Sequence, residues 1–308
     1  MRPPRPKTKQ PRRLRSSACV LAVCLCAAAL VLGGAAAIIH AERAQRQAVS
    51  SSGSKPQSSS SQAASSSQTA VKAATTGNIP VLMYHSINYD PKFPGNQVRI
   101  PKAKFAAQMK WLHDNGYHTL TMSELYKAVE NREQVPEKSV VLTFDDGYED
   151  NYQNAYPILQ EYGFKATIFM ITNEIGDNKN GYLTAEELKT MQQNGIDIEC
   201  HTVHHLHLSK LSYQKQEEEI SDAQQTLEKL LGRRVSYIAY PYGDYNAETL
   251  RITEKCGFKL GFREDGGIGR LSDPEFEFPR IFIRSDFSEF VARVTGAENL
   301  RTSAGSVS

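Results

Sequence analysis

Two carboxylates stand side by side in Thr143-Phe144-Asp145-Asp146-Gly147, after the apolar Val140-Val141-Leu142 and before a turn-forming glycine. Side chains alternate along a strand, so adjacent aspartates face different ways and can take separate duties: one can bind a cation while the other accepts a proton. The same residues also describe an ordinary acidic turn. Four of the chain's eight histidines fall in His201-Thr202-Val203-His204-His205-Leu206-His207. Imidazole is the commonest metal ligand. A spacing of four, His201 with His205, places two rings on one side of a helical turn, and His201 with His204 is the alternative pair. A carboxylate from elsewhere would complete a facial set with positions open to water. In Ala239-Tyr240-Pro241-Tyr242-Gly243-Asp244-Tyr245-Asn246, proline and glycine fix a tight loop, aromatic rings can line a sugar site, and the Tyr242 backbone N–H is available to an oxyanion. Its plainer reading is a rigid aromatic corner.

These residues need elements to position them. Short apolar runs alternate with helical patterns, the signature of a parallel α/β arrangement, and strands are expected at 80–84, 140–144, 166–171, 196–200, 237–240, 259–262 and 280–283. Thr184 with Glu187 forms a capping box for a helix that stops at Gly195. A second helix puts Ile220, Ala223, Leu227, Leu230 and Leu231 on one face and stops near Gly232. Further helices are expected at 102–114, 123–131, 151–162 and 246–256. His85, Asp145 and Asp146, His201 and His205, and Tyr242 all lie just beyond the C-terminal ends of different strands. A closed parallel barrel converges those ends on one face, so a distorted (β/α) barrel of about seven parallel strands is expected in preference to an open sheet.

Bulk properties place this domain. Residues 1–17 carry seven basic and no acidic residues, and the uncharged, mostly apolar run 18–39 follows. Such a run can span a bilayer with the basic tail inside, and it exceeds the usual 7–15-residue core of a cleaved signal. The reading is a cytoplasmic basic tail (1–17), a signal anchor (18–39), a Ser-rich flexible linker (40–78), a catalytic domain (79–295) and a short flexible tail (296–308). The location is then the cell membrane, single-pass, with the domain extracellular, or secretion if the segment is cleaved. Residues 79–308 hold 25 basic and 33 acidic side chains, which excludes a nucleic-acid groove and suits a neutral or partly cationic glycan. The compartment permits Cys200 and Cys256 to pair, but spacing alone does not bring them together.

Taken together, the segments resemble the polysaccharide deacetylase family, the fourth family of carbohydrate esterases, over 79–283. The resemblance rests on Thr143-Phe144-Asp145-Asp146-Gly147 and on His201-Thr-x-x-His205, in order and about 55 residues apart. It implies that Asp145 is the catalytic base, that Asp146, His201 and His205 bind zinc or a similar divalent ion, and that Tyr242 supplies an oxyanion N–H. The implied reaction is metal-assisted N-deacetylation of an N-acetylglucosamine polymer, such as an exopolysaccharide or peptidoglycan, with release of acetate. Two features depart from the family. Its third motif carries an arginine that holds the base, where this chain has Ala239. Its fifth motif, Leu-x-x-His, supplies the acid near the C-terminus, and no histidine follows His207 here. Leu82-Met83-Tyr84-His85 fits that motif near the domain's start, an order found in the branch acting on poly-β-1,6-N-acetylglucosamine. Arg280 is the candidate for the missing arginine. A glycan-binding pseudoenzyme and a two-carboxylate glycoside hydrolase are the alternatives.

Overall fold

The computed structural model describes residues 77–92, 95–177 and 179–296. The basic tail, the anchor, the linker up to residue 76 and the tail beyond residue 296 lie outside the described residues. Among the described residues, no helix is long and apolar enough to cross a membrane. In chain order the strands are β1 (Asn78–Ile79), β2 (Val81–Tyr84), β3 (His118–Thr119), β4 (Ser139–Phe144), β5 (Ala166–Met170), β6 (Ile196–Cys200), β7 (Tyr237–Ala239), β8 (Leu260–Gly266), β9 (Gly269–Arg270) and β10 (Phe278–Phe282). The α-helices are α1 (Lys102–Asp114), α2 (Met122–Asn131), α3 (Tyr156–Tyr162), α4 (Ala185–Gln193), α5 (Tyr213–Leu231), α6 (Ala247–Lys255) and α7 (Phe287–Thr295).

Seven strands pair in parallel in the order β2-β10-β8-β7-β6-β5-β4, and pairing of β2 with β4 closes the barrel. β3 adds beside the start of β4, and β1 pairs antiparallel with β9. Asn78, expected as linker, thus belongs to a strand. The barrel strands are rich in β-branched and aromatic residues and buried on both faces, as parallel strands beneath helices are.

Alternation divides the core in two. Val81, Val141, Phe169, Tyr237, Ala239, Leu260, Phe262 and Phe278 fill the inside of the barrel, joined from α2 by Leu125, Ala128 and Val129. Leu82, Leu142, Phe144, Ile168, Ile198, Ile238 and Ile281 face outward to the helices. Continued at a step of two, the inward series runs through Val81 to His85, Val141 to Asp145, Glu199 to His201, Phe262 to Glu264 and Phe278 to Arg280. The apolar pattern that builds the core therefore also aims these polar groups at one end of it.

The helices start and stop where local chemistry directs. Thr121 with Glu124 and Thr184 with Glu187 form capping boxes, and Gly232 ends α5 in a left-handed conformation at φ 67. The helix expected over 151–162 opens instead with a π-helical turn, Asn151–Ala155, in which the Tyr156 N–H donates to the Asn151 carbonyl. Pro157 follows and has no N–H to donate, which removes one regular bond from the next turn. The single tryptophan, Trp111 on α1, packs against Tyr117 and the Phe290 ring of α7 at centroid distances of 5.4 and 5.7 Å. Cys200 and Cys256 are both free thiols, and burial pushes the Cys200 thiol up to about 12.

Candidate active site

Asp145 and Asp146 leave β4 in different directions, as alternation requires. Asp145 is sealed from solvent and accepts a two-pronged contact from Arg280: Nη1 to Oδ1 at 2.7 Å and Nη2 to Oδ2 at 2.6 Å. Arg280 is itself buried, bonds the Thr143 hydroxyl at 3.2 Å and lies over the Phe169 ring. Burial alone would raise the Asp145 carboxyl, but the charge and hydrogen bonds of Arg280, together with the His201 and His85 imidazoles, outweigh it and the pKa is lowered. Asp145 is thus held ionised and fixed by an arginine from β10.

Asp146 turns away at φ 72, and Gly147 follows at φ 84. Its Oδ1 lies 3.5 Å from His201 Nε2 and 3.5 Å from His205 Nε2. Asp146 Oδ1 and His201 Nε2 are buried without a hydrogen-bond partner among the described residues, a costly arrangement unless something else joins them. The His201 Nδ1–H donates to the Ala239 carbonyl at 2.8 Å. That bond fixes the tautomer and leaves the Nε2 lone pair facing Asp146. Ligand atoms bound tetrahedrally at about 2.0–2.2 Å from one ion sit about 3.3–3.6 Å apart, so the three residues fit a zinc-like ion. Burial opposes ionisation of Asp146, yet the His201 contact and the neighbouring imidazoles hold it well below the usual carboxylate range. Burial, followed by the His201 charge, pushes His205 down to about 4 and keeps it neutral.

The helical turn expected for His201 and His205 is absent. The segment is a bend in which Thr202 and His205 take left-handed φ values of 65 and 56, pinned by the His205 N–H donating to the Thr202 hydroxyl at 3.1 Å. This bend, not a helix, brings both rings to Asp146. His204 turns away to Glu219, at 2.7 Å, and His207 stacks on Tyr242 at 4.0 Å between centroids.

Tyr242 is the fourth non-glycine residue here in the left-handed region, at φ 59. Its ring is half exposed beside His205, and nothing among the described residues accepts a hydrogen bond from its backbone N–H. The adjoining cleft, about 370 Å³, is lined by Asp146, Tyr148, Glu174, Tyr182, His205 and Tyr242, and the Tyr148 and Tyr182 rings stack along it at 5.3 Å.

His85 stands just past β2, with its ring 5.6 Å from that of Phe282. Its ring nitrogens, the Asp145 carboxylate and the Glu264 carboxylate offer atoms all within 4.8 Å of one another. Glu264 is the residue that sequence reasoning missed. It sits in the polar run Arg263-Glu264-Asp265-Gly266, which reads as a loop, yet β8 continues to Gly266. Its signal was the inward alternation of Leu260 and Phe262. Burial, then the Asp145 charge, raises the Glu264 carboxyl.

A family profile described as Polysaccharide deacetylase matches residues 132–261. YxkH of Bacillus subtilis (strain 168), whose name places it among the polysaccharide deacetylases, is 42% identical over 218 residues, 71% of this chain and 76% of that protein. The poly-beta-1,6-N-acetyl-D-glucosamine N-deacetylase of Staphylococcus aureus (strain MSSA476) is 31% identical over 211 residues, 64% of this chain and 72% of that protein. Among solved structures, the Streptococcus pyogenes deacetylase PplD in complex with acetate superposes with a TM-score of 0.67 at 34% identity, covering 70% of this chain and 98% of that one. With relatives this similar over this much of their length, and a parallel barrel that gathers the motif residues at one end, the chain belongs to the polysaccharide deacetylase family, hydrolases of carbon–nitrogen bonds.

Proposed function

We propose that this chain removes acetyl groups from an N-acetylglucosamine-containing polysaccharide, an exopolysaccharide or peptidoglycan, with Asp146, His201 and His205 holding a divalent ion, zinc first among candidates. The observation that carries the reading is the pair of buried, unpartnered atoms that face each other, Asp146 Oδ1 and His201 Nε2. When bound, the ion supplies Lewis acidity toward the acetyl carbonyl and the attacking water. Asp145, ionised and aimed by Arg280, accepts the proton from that water as it adds to the carbonyl carbon. The Tyr242 N–H donates to the oxygen that gains negative charge. His85 donates a proton to the amide nitrogen as the C–N bond breaks, giving acetate and a free amine.

Two placements support the roles of His85 and Arg280. β2 is hydrogen-bonded to β4 on one side and to β10 on the other, so residues from the two ends of the domain meet at Asp145. In this reading the order of motifs along the chain is permuted. The name of the Staphylococcus aureus relative favours poly-β-1,6-N-acetylglucosamine as substrate. In this reading, residues 18–39 anchor the chain, residues 40–78 tether the catalytic domain (79–295), and the domain works outside the membrane. The test is incubation with poly-β-1,6-N-acetylglucosamine, peptidoglycan and chitin oligomers, following acetate and chain length together. Acetate release at constant chain length is expected. Shortened chains, or binding without acetate, would overturn the reading in favour of a glycoside hydrolase or a pseudoenzyme.

A further inference from the structure

The ring of His85 makes no hydrogen bond among the described residues. Its position is therefore inherited from its backbone, and that backbone has just left the barrel. The last ladder bond between β2 and β4 is the Asp145 N–H to the Tyr84 carbonyl, 2.9 Å. Beyond it the β4 chain swings away through the left-handed Asp146 and Gly147, so no strand remains beside residues 85–87. A side chain takes over where the ladder stops. Asp150 accepts the Ser86 hydroxyl on Oδ2 at 2.6 Å and the Ile87 N–H on Oδ1 at 2.8 Å. Asn154, one turn further on, donates to the Ile87 carbonyl at 2.9 Å. The opposite side of the segment is bound by the Ser86 N–H to the Val98 carbonyl and the Ile100 N–H to the Ser86 carbonyl.

We infer that Asp150 is a positioning residue for the reaction: its carboxylate clamps the segment after His85 to the segment after Asp145 and Asp146, setting the proton donor's distance from the base and the metal ligands. This rests on the reading of His85 as the donor to the leaving nitrogen. Both oxygens are engaged, each by a different residue of the same segment, a fork that fixes orientation as well as distance. Asp150 touches none of the reacting groups. Its loss should act only through the placement of His85, and displacement of a catalytic group by about 1 Å can cost about 100-fold in rate.

The experiment uses the full chain as wild type, His85→Ala, Asp150→Ala and Asp150→Asn. For each, bound metal, melting temperature and kcat are measured on an N-acetylglucosamine oligomer and on a nitrophenyl acetate ester, whose leaving group needs no proton. Asp150→Ala should keep its metal and lose about 10- to 100-fold in kcat on the oligomer, with KM little changed and the ester rate nearly intact, in parallel with His85→Ala. Asp150→Asn retains an acceptor for the Ile87 N–H and can donate to the Ser86 oxygen, so it should recover part of the loss. Equal losses on both substrates, or no loss on the oligomer, would overturn the positioning role. If wild type releases no acetate, or His85→Ala loses both rates alike, it is the underlying reading that fails, and the two failures are told apart in one set of measurements.

Discussion

Arg280 and Asp145 form an ion pair with no access to water. Removing one partner strands a buried charge, which costs about 3–5 kcal/mol. Arg280→Met should therefore lower both stability and turnover. Asp145 in the wild type has a lowered pKa, so its contribution to stability is fully present above the unfolded value of about 3.9 and is lost as pH falls through the folded value. In Arg280→Met, burial is opposed only by the His201 and His85 charges, so the carboxyl is raised relative to wild type, protonates earlier on acidification and sheds its penalty. The gap in melting temperature between wild type and variant should be widest near neutrality and shrink below about pH 5; a gap independent of pH would mean the pair is not what couples them. The neighbouring residues separate binding from chemistry. His201→Ala or His205→Ala should lose bound divalent ion, read by elemental analysis, because two ligands hold it poorly. Asp145→Asn should keep the ion while turnover collapses, and Asp146→Asn should weaken the ion itself. If the two asparagine variants behave the other way round, the roles of base and ligand are reversed.

The turns between strands and helices do as much for the site as the strands. At Gly147, φ is 84 and a Cβ would stand 2.0 Å from the Met170 sulfur, on a side chain buried with no solvent to swing into. Gly147→Ala should cost about 1–3 kcal/mol from backbone strain and overpacking. Because Asp146 is the adjacent residue, divalent-ion affinity should fall with it; a melting curve and a metal titration on the same sample check both. These turns also mark where sequence reading reached its limit. The strand at 140–144 announces itself by its nearly continuous apolar run and the one at 196–200 by the alternation of Ile196, Ile198 and Cys200, and the capping box at Thr184 and Glu187 is local chemistry. The bend at Thr202 and His205 is neither. It is held by one hydroxyl and by tertiary packing, and a spacing of four imitates a helix that is not there. β8 beyond Phe262 escaped for a related reason: charged residues in Arg263-Glu264-Asp265 look like a loop until the barrel supplies an interior for Glu264 to face. Arg280 was legible only as a candidate, because the closure that brings β10 to Asp145 is a contact 135 residues apart in sequence.

For the whole chain, the barrel and its helices, from Asn78 to Thr295, carry every residue assigned to the reaction. A chain lacking residues 1–76 should be soluble, with melting temperature and kcat on short oligomers unchanged, while the full chain should fractionate with membranes in cell extracts. Loss of turnover on truncation would mean the leader contributes to the site. The excess of acidic over basic residues past position 78 should let the domain tolerate the cationic amines that its own reaction creates. The lone indole of Trp111 provides an optical readout. It sits between Tyr117 and the Phe290 ring of α7, at the seam where α7 closes over α1, the last and the first α-helix among the described residues. Its emission should report whether that seam is shut, so fluorescence-monitored unfolding follows the fastening of the scaffold, and occupancy of the cleft has to be followed by other signals.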